Sequence, residues 1–223
     1  TISPKVNGGR IMMGGVNSEH RGIDFVYCRD FECSAEVDGG EDFCFQTQYS
    51  VSGNLDVITK NATQPTSGFN TGYGVSVVNG SRDITANIIS YNCKHAATGG
   101  GALPAIYVSI KGTAYDGGMG VTTAWDCHEP CFKWDWDVKS VGGNSGIGIR
   151  GSDQDVKIDV QNIGSSAARV RTFNNVGTQK NIKLRITGTG VGSDSVELSS
   201  ALNVLDNVEI DLDMTNTTFS ALN

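Results

Sequence analysis

Residues 74–88 read Gly-Val-Ser-Val-Val-Asn-Gly-Ser-Arg-Asp-Ile-Thr-Ala-Asn-Ile, and residues 146–160 read Gly-Ile-Gly-Ile-Arg-Gly-Ser-Asp-Gln-Asp-Val-Lys-Ile-Asp-Val. In both stretches a short apolar segment leads through a turn-type link into a second segment in which every other residue is apolar. Strict alternation of apolar and polar side chains is typical of a strand with one buried face. The two copies begin 72 residues apart, which equals three repeats of 24 residues. The chain therefore contains a repeat that is built on strands.

The same alternation recurs eight times along the chain at near-constant spacing. The gaps between its openings run from 22 to 29 residues, and the openings are Phe31, Leu55, Ile84, Ile106, Phe132, Val156, Ile182 and Val208. Most of them follow a turn-type residue: Asp30, Asn54, Asp83, Asp155, Asn181 and Asn207. We expect the opening residue and those two and four positions later to face inward, stacked on like residues about 4.8 Å away in the next coil. A strand-based period in the twenties is the signature of a solenoid.

We therefore predict an all-β fold, namely a single-stranded right-handed parallel β-helix of about eight coils of 22–29 residues. Second strands are predicted before three of the openings, at 23–25, 75–77 and 147–149. An antiparallel sandwich is the alternative, but it would show hairpin signals about every 8 to 12 residues and no constant phase. The predicted organisation is a lead-in or capping segment at 1–19, the β-helix at 20–215 and an exit segment at 216–223.

Charge and hydropathy limit the partners. The net charge is −7 and Lys and Arg do not cluster, which disfavours nucleic acid as a partner. The apolar runs are far shorter than the roughly 20 residues that span a bilayer, so we predict no membrane insertion. The chain starts at Thr1 without a leader of secretory type, and we expect it to be a segment of a longer polypeptide. An acidic surface rich in Ser, Asn and Gly suits a soluble particle component or a neutral polar ligand such as a glycan.

The six cysteines permit disulfides, but a chain of 223 residues is not a short disulfide scaffold. We expect most of them to be reduced core residues, since Cys33 lies in the inward phase. Cys127 and Cys131 flank His128, but a zinc site would need a second ligand pair at a matching spacing. The sequence offers none, and we predict neither a metal nor a cofactor.

The densest group of chemistry-bearing side chains lies between Trp125 and Asp137, with one His, four acids and three Trp. Glycan sites often combine paired carboxylates with aromatic platforms. The phase of the repeat assigns Trp134 and Trp136 to the core. It leaves Lys133, Asp135 and Asp137 facing outward, and such a row of charges on a strand is usually a solvated face. The candidate ligand-binding residues are Trp125, Asp135, Asp137 and His95.

Asp126 and Arg150 each lie six residues before an opening, which predicts an ion pair between adjacent coils at a corner of the stack. His128 would lie close by. The alternative is a purely structural role, in which the buried pair fixes the geometry of the corner. The candidate catalytic residues are Asp126, His128, Glu129 and Arg150. Excursions from the repeat are predicted at 60–73, 93–104 and 112–128, either as binding loops or as tolerated surface loops.

The stretch from Gly72-Tyr73-Gly74-Val75 to Lys94-His95-Ala96 resembles coils of bacteriophage tailspike and tail-fibre proteins of the pectate-lyase-like β-helix group. So does Trp125-Asp126-Cys127-His128-Glu129, since an Asp-x-His step recurs at coil corners in such proteins. The resemblance spans residues 20–212. It implies a homotrimer in the virion tail that contacts other tail proteins and, outside the cell, the surface polysaccharide of the host.

Three functions follow from this resemblance. The first is a structural and receptor-binding module of the virion that binds a host-surface glycan. The second is a depolymerase, a glycoside hydrolase or a lyase, that acts on capsule or lipopolysaccharide; no catalytic motif matches residue by residue, so activity stays open. The third is a secreted pectinolytic lyase, which the missing leader and the missing calcium-type acid cluster disfavour.

Overall fold

The computed structural model describes residues 5–12, 21–40, 42–62, 72–118, 123–127, 131–143, 146–161, 169–172, 179–189, 196–198, 205–215 and 219–221. Within these ranges the chain forms eighteen strands in two nine-stranded sheets. The first sheet contains β1 (Lys5–Met12), β3 (Arg29–Asp38), β5 (Val51–Lys60), β7 (Arg82–Tyr91), β9 (Ile106–Tyr115), β11 (Cys131–Val141), β13 (Gly151–Gln161), β15 (Gln179–Thr189) and β17 (Leu205–Thr215). The second sheet contains β2 (Arg21–Val26), β4 (Phe43–Gln48), β6 (Tyr73–Val78), β8 (His95–Gly100), β10 (Trp125–Cys127), β12 (Gly146–Ile149), β14 (Arg169–Thr172), β16 (Val196–Leu198) and β18 (Phe219–Ala221).

The pairing of these strands confirms the parallel β-helix. Each strand pairs in parallel with the strand two places along the chain, so that every coil gives one strand to each sheet. The coil count differs from the predicted eight. Side chains are described on both strands from β2–β3 to β12–β13, which spans about five turns of the solenoid, while backbone pairing extends further. Among the described residues, no helix is long and apolar enough to cross a membrane.

The observed register corrects four of the eight predicted openings. One row of paired residues crosses the first sheet, and it consists of Phe31, Gly53, Ile84, Val108, Trp134, Gln154, Ile182 and Val208. The predicted openings Leu55, Ile106, Phe132 and Val156 each lie two residues from this row. The sequence favours Leu55 and Val156 as openings because Gly53 and Gln154, two residues earlier, are not apolar. It favours Ile106 and Phe132 because they are apolar, although they lie two residues before the row. Because side chains alternate with period two, a slip of two leaves the inward face unchanged.

The predicted core is accordingly confirmed. Cys33, Trp134 and Trp136 are buried between the sheets, each at most 2% exposed. All six cysteines are free thiols; Cys28 is half-buried and the other five are buried. The predicted second strands correspond to β2, β6 and β12.

Each strand of the first sheet from β3 to β17 carries one non-glycine residue in the left-handed region, at the position just before the paired row. These residues have φ between 51° and 59°, and we call them the bend row: Asp30, Ser52, Asp83, Tyr107, Lys133, Asp153, Asn181 and Asn207. A single left-handed residue between extended ones turns the chain, so successive coils bend at one level. Their side chains stack in turn, as when the Asn207 amide donates to Asn181 at 2.8 Å and Asn181 donates to Asp153 at 2.7 Å.

Two of the segments that were predicted to be excursions from the repeat contain strands of the second sheet. Residues 93–104 contain β8 and residues 112–128 contain β10, and both strands are fully buried. Glycine-rich sequence predicts a loop, but here the glycine is required by packing. A Cβ atom on Gly99 would lie 2.5 Å from Trp134 Cη2. The excursion at 60–73 falls mostly outside the described residues.

We expect Gly99→Val to destabilise the protein by about 1 to 3 kcal/mol, because the added atoms overpack the site against Trp134 and against Cys131 Sγ, 2.7 Å from that same Cβ position. Denaturant titration followed by circular dichroism measures the effect. Gly99→Val in a Trp134→Ala background is the control, since the vacated space should there remove most of the cost. Equal costs in the two backgrounds would contradict the packing of Gly99 against Trp134.

Candidate functional site

The predicted site residues fall in two separate places. Asp126, Arg150 and His95 belong to a buried cluster at the second sheet, whereas Asp135 and Asp137 point outward from the first sheet. His128 and Glu129 lie outside the described residues, so their candidacy stays a prediction.

The buried cluster is centred on Asp126 of β10. His95, the first residue of β8, places Nε2 at 4.0 Å from Asp126 Oδ2. The Nδ1 atom of His95 lies 2.8 Å from the carbonyl oxygen of Thr123. A carbonyl oxygen only accepts hydrogen bonds, so Nδ1 carries a proton and Nε2 faces the carboxylate. The ring of Tyr73 stacks on the His95 ring with centroids 5.8 Å apart.

Burial dominates the electrostatics of this cluster. It raises the pKa of Asp126 to about 6, against the opposing effects of the Arg150 charge, the Cys127 backbone N–H and the Lys94 charge. Burial also lowers the pKa of Lys94, an effect that Asp126 opposes. The pKa of Tyr73 is raised by burial and by the charges of Asp126 and Asp42, although Arg150 lowers it. Two cationic side chains therefore stabilise one buried carboxylate.

Burial raises the pKa of Asp126 and the Arg150 charge opposes that rise, but the two residues do not share the predicted phase, and the ion pair itself stays a prediction. Asp126 pairs in register with Gly148, so Arg150 lies two residues further along its coil. Phase counted from the first sheet does not carry over to the second, because the link between the sheets differs in length from coil to coil. Asp126 lies eight residues before Trp134, whereas its partner Gly148 lies six before Gln154.

The enclosure of the cluster favours a structural role. The side chains of His95 and Asp126 are 3% and 5% exposed, so neither reaches a bulky polymer in this conformation. Removing one partner from a group of buried charges is strongly destabilising. The cluster therefore fits a structural role, in which it fixes the corner of the coil. Trp125 is also fully buried and donates through Nε1 to Ser140 Oγ at 3.0 Å. Because its ring packs in the core, Trp125 is not accessible for stacking on a sugar.

The outward face of the first sheet carries an open groove of about 380 Å³ along the bend row. Four successive members of that row line it together with Asp135 of β11: Asp83, Tyr107, Lys133 and Asp153. Of the predicted ligand-binding residues, Asp135 is therefore in the groove. Asp137 lies outside its lining and forms an exposed ion pair with Lys157 at 3.5 Å.

Tyr107 is the most distinctive residue of the groove. Its side chain is half exposed, and Lys133 Nζ lies 4.6 Å from the ring centroid and donates to the phenol oxygen at 2.9 Å. The bend row uses Asp, Asn or Ser in its other six positions, the residues that tolerate or favour a left-handed conformation. Only Tyr107 and Lys133 depart from that chemistry, and they contact each other. Tyr107 holds this conformation at φ 57°, as Tyr27 and Tyr49 do at φ 55° and 50° elsewhere in the stack. It is uncommon for a bulky residue.

Sequence reasoning missed Tyr107, and it placed Lys133 outward without including it among the site residues. The signal was present, because an aromatic residue occupies a position that Asp, Asn or Ser fills in six other coils. It was hidden because the opening of that coil was placed at Ile106, two residues before the paired row. With Val108 as the opening, Tyr107 aligns with Asp83 and Lys133.

Comparison with protein-family models, with curated proteins and with solved structures returned no match to this chain. Within the described ranges, no group of three or more His, Cys, Asp or Glu side chains is arranged to hold a metal ion.

Proposed function

We propose that this chain is a β-helical module of a phage tail fibre or tailspike and that it binds a host-surface glycan in the Tyr107 groove. The single observation that carries the proposal is that the Tyr107 ring is exposed on the first sheet, in a groove that carboxylates and an ammonium group also line. Aromatic rings offer an apolar face with a polar edge, and sugars present apolar C–H faces ringed by hydroxyl groups. Polar groups placed around such a platform fix the orientation of a ligand.

The shape of the outer face suits a polymer. A second groove of about 310 Å³ is lined by Asp30, Glu32 and Asn54, and it shares Asp83 with the Tyr107 groove. The two grooves therefore continue one another along the stack, at about 4.8 Å per coil. Rigid strands hold the lining residues at a fixed spacing, as recognition of a repeating chain requires.

The same proposal places the chain in a homotrimer in the virion tail, in contact with other tail proteins and exposed to the host surface. The resemblance to tailspike coils supports this assembly. The acidic surface, with a net charge of −7, supports a partner that is not a polyanionic nucleic acid.

We expect Tyr107→Ala to weaken binding of the recognised polysaccharide about tenfold or more, because it removes the platform; tenfold equals about 1.4 kcal/mol. The measurement is calorimetric titration against a panel of purified bacterial capsule and lipopolysaccharide glycans. Tyr115→Ala is the matched control, since Tyr115 is an exposed tyrosine of the same sheet, stacked on Tyr91 outside the groove. Unchanged affinity in Tyr107→Ala, or equal losses in both variants, would contradict the proposal.

A depolymerase is the second candidate, and the observation that favours it is that Asp83, Asp135 and Asp153 line one groove. Glycoside hydrolysis uses two carboxyl groups roughly 5 to 9.5 Å apart across the scissile bond. The same polysaccharide panel decides between the candidates. Release of reducing ends that is lost in both Asp135→Asn and Asp153→Asn would support hydrolysis, and binding without release would support a receptor-binding module.

A further inference from the structure

The charge of the residues that line the two grooves is strongly one-sided. Among the residues that line the two continuous grooves, five are acidic: Asp30, Glu32, Asp83, Asp135 and Asp153. Lys133 is the one cationic residue in the same lining. A glycan that follows the grooves would therefore pass several carboxylates within about 8 Å, the distance over which salt screens charges under physiological conditions.

The single cation is already engaged by the protein. Lys133 Nζ donates to the Tyr107 phenol and lies over its ring. An acidic group on a ligand would compete with these contacts and with Asp153, a carboxylate whose charge acts on Lys133. Lys133 lines the Tyr107 groove but not the second groove, where the charges of Asp30 and Glu32 lie.

We infer that the groove selects glycans without acidic groups, that is, neutral or amino-bearing polysaccharides, and rejects those built from uronic, sialic or phosphorylated sugars. The inference rests on the proposed glycan-binding function and names the substrate class of the same site. Juxtaposed like charges suppress wrong partners, whereas carboxylates accept hydrogen bonds from sugar hydroxyls and, more strongly, from ammonium groups. The carboxylates thus provide specificity and Tyr107 provides the platform.

The test compares one neutral and one uronate-rich polysaccharide on the wild-type protein and on a variant carrying Asp135→Asn and Asp153→Asn. We expect the wild type to bind only the neutral polymer, with an affinity that changes less than twofold when salt is raised. In the double variant, affinity for the acidic polymer should rise at least tenfold. Asn keeps the size of both side chains and tolerates the left-handed conformation at position 153.

A control variant with Asp211→Asn and Asp213→Asn changes the net charge equally on exposed positions of β17 outside the grooves. It should bind both polymers as the wild type does, because we expect the charge in the grooves, and not the net charge of the protein, to determine which polymer binds. Preferential binding of the acidic polymer by the wild type, weakened by salt, would overturn the inference and leave the Tyr107 result intact. If the control gains acidic binding as the groove variant does, the inference fails as well. If Tyr107→Ala binds the neutral polymer as tightly as the wild type does, the proposed function fails instead.

Discussion

Trp134→Ala should lower the free energy of unfolding by about 3 to 5 kcal/mol. Trp134 is fully buried, its Nε1 donates to the Ala105 carbonyl at 3.0 Å, and its ring stacks on Trp136 with centroids 5.1 Å apart. Truncation leaves a cavity between the sheets and removes the shorter of two hydrogen bonds to the buried Ala105 carbonyl, whose other donor is the Phe132 N–H at 3.5 Å. Because each coil contributes few large side chains, the neighbouring coils cannot refill the space without moving the stack.

The measurement is guanidinium unfolding followed by circular dichroism, with the shift in midpoint read at an unchanged m value. Leu103→Ala is the control, since Leu103 is 54% exposed and its truncation should change stability by less than about 0.5 kcal/mol. A cost below about 1 kcal/mol for Trp134→Ala would show that the two sheets do not pack around this ring.

The second large effect is a pH dependence at Asp126. Burial raises the pKa of Asp126 from 3.8 to about 6 on folding, so the protonated form is favoured in the native state. The resulting stabilisation is fully present below about pH 4 and is lost as the pH rises through about 6. A difference of about two units corresponds to about 3 kcal/mol.

We therefore expect the stability of the wild type, relative to Asp126→Asn, to fall by about 3 kcal/mol between about pH 4 and about pH 7. Comparison with the isosteric amide cancels the titration of distant groups. The charged or titratable groups that face Asp126 are Lys94, His95, Arg150, Tyr73 and Cys131. Because histidine ordinarily changes charge between pH 5 and 8, the comparison is repeated in a His95→Gln background. A flat difference, or one that rises with pH, would contradict a buried carboxylate of raised pKa.

The inward face of the first sheet could be predicted from the sequence because alternation with period two is a local property. Trp134, Trp136 and Cys33 were placed correctly even though several openings were displaced. The register could not be predicted, because an apolar residue such as Ile106 and a polar one such as Gln154 occupy positions that only the neighbouring coils define. Strand β8 was missed for a related reason: Gly99 is selected by the Trp134 ring across the core, and no local pattern records that contact.

The site shows the same division between local and tertiary information. Asp135 was recognised as outward-facing from phase alone, whereas the spacing that aligned Asp126 with Arg150 did not give the observed register. The groove itself depends on the bend row, in which residues from four coils meet at one level. Tyr107 becomes notable only when it is aligned with Asp83 and Lys133, and that alignment requires the true register.

Hydroxyl-radical footprinting of the protein saturated with its recognised polysaccharide tests the central claim most directly, because it reports which exposed tyrosines the glycan covers. Tyr107, Tyr27 and Tyr115 are all exposed, at 50%, 70% and 38%, and so provide internal standards in one experiment. The glycan-groove proposal predicts strong protection of Tyr107, with Tyr27 and Tyr115 as reactive as in the free protein. Full reactivity of Tyr107 at saturation, or protection confined to Tyr27 or Tyr115, would contradict it.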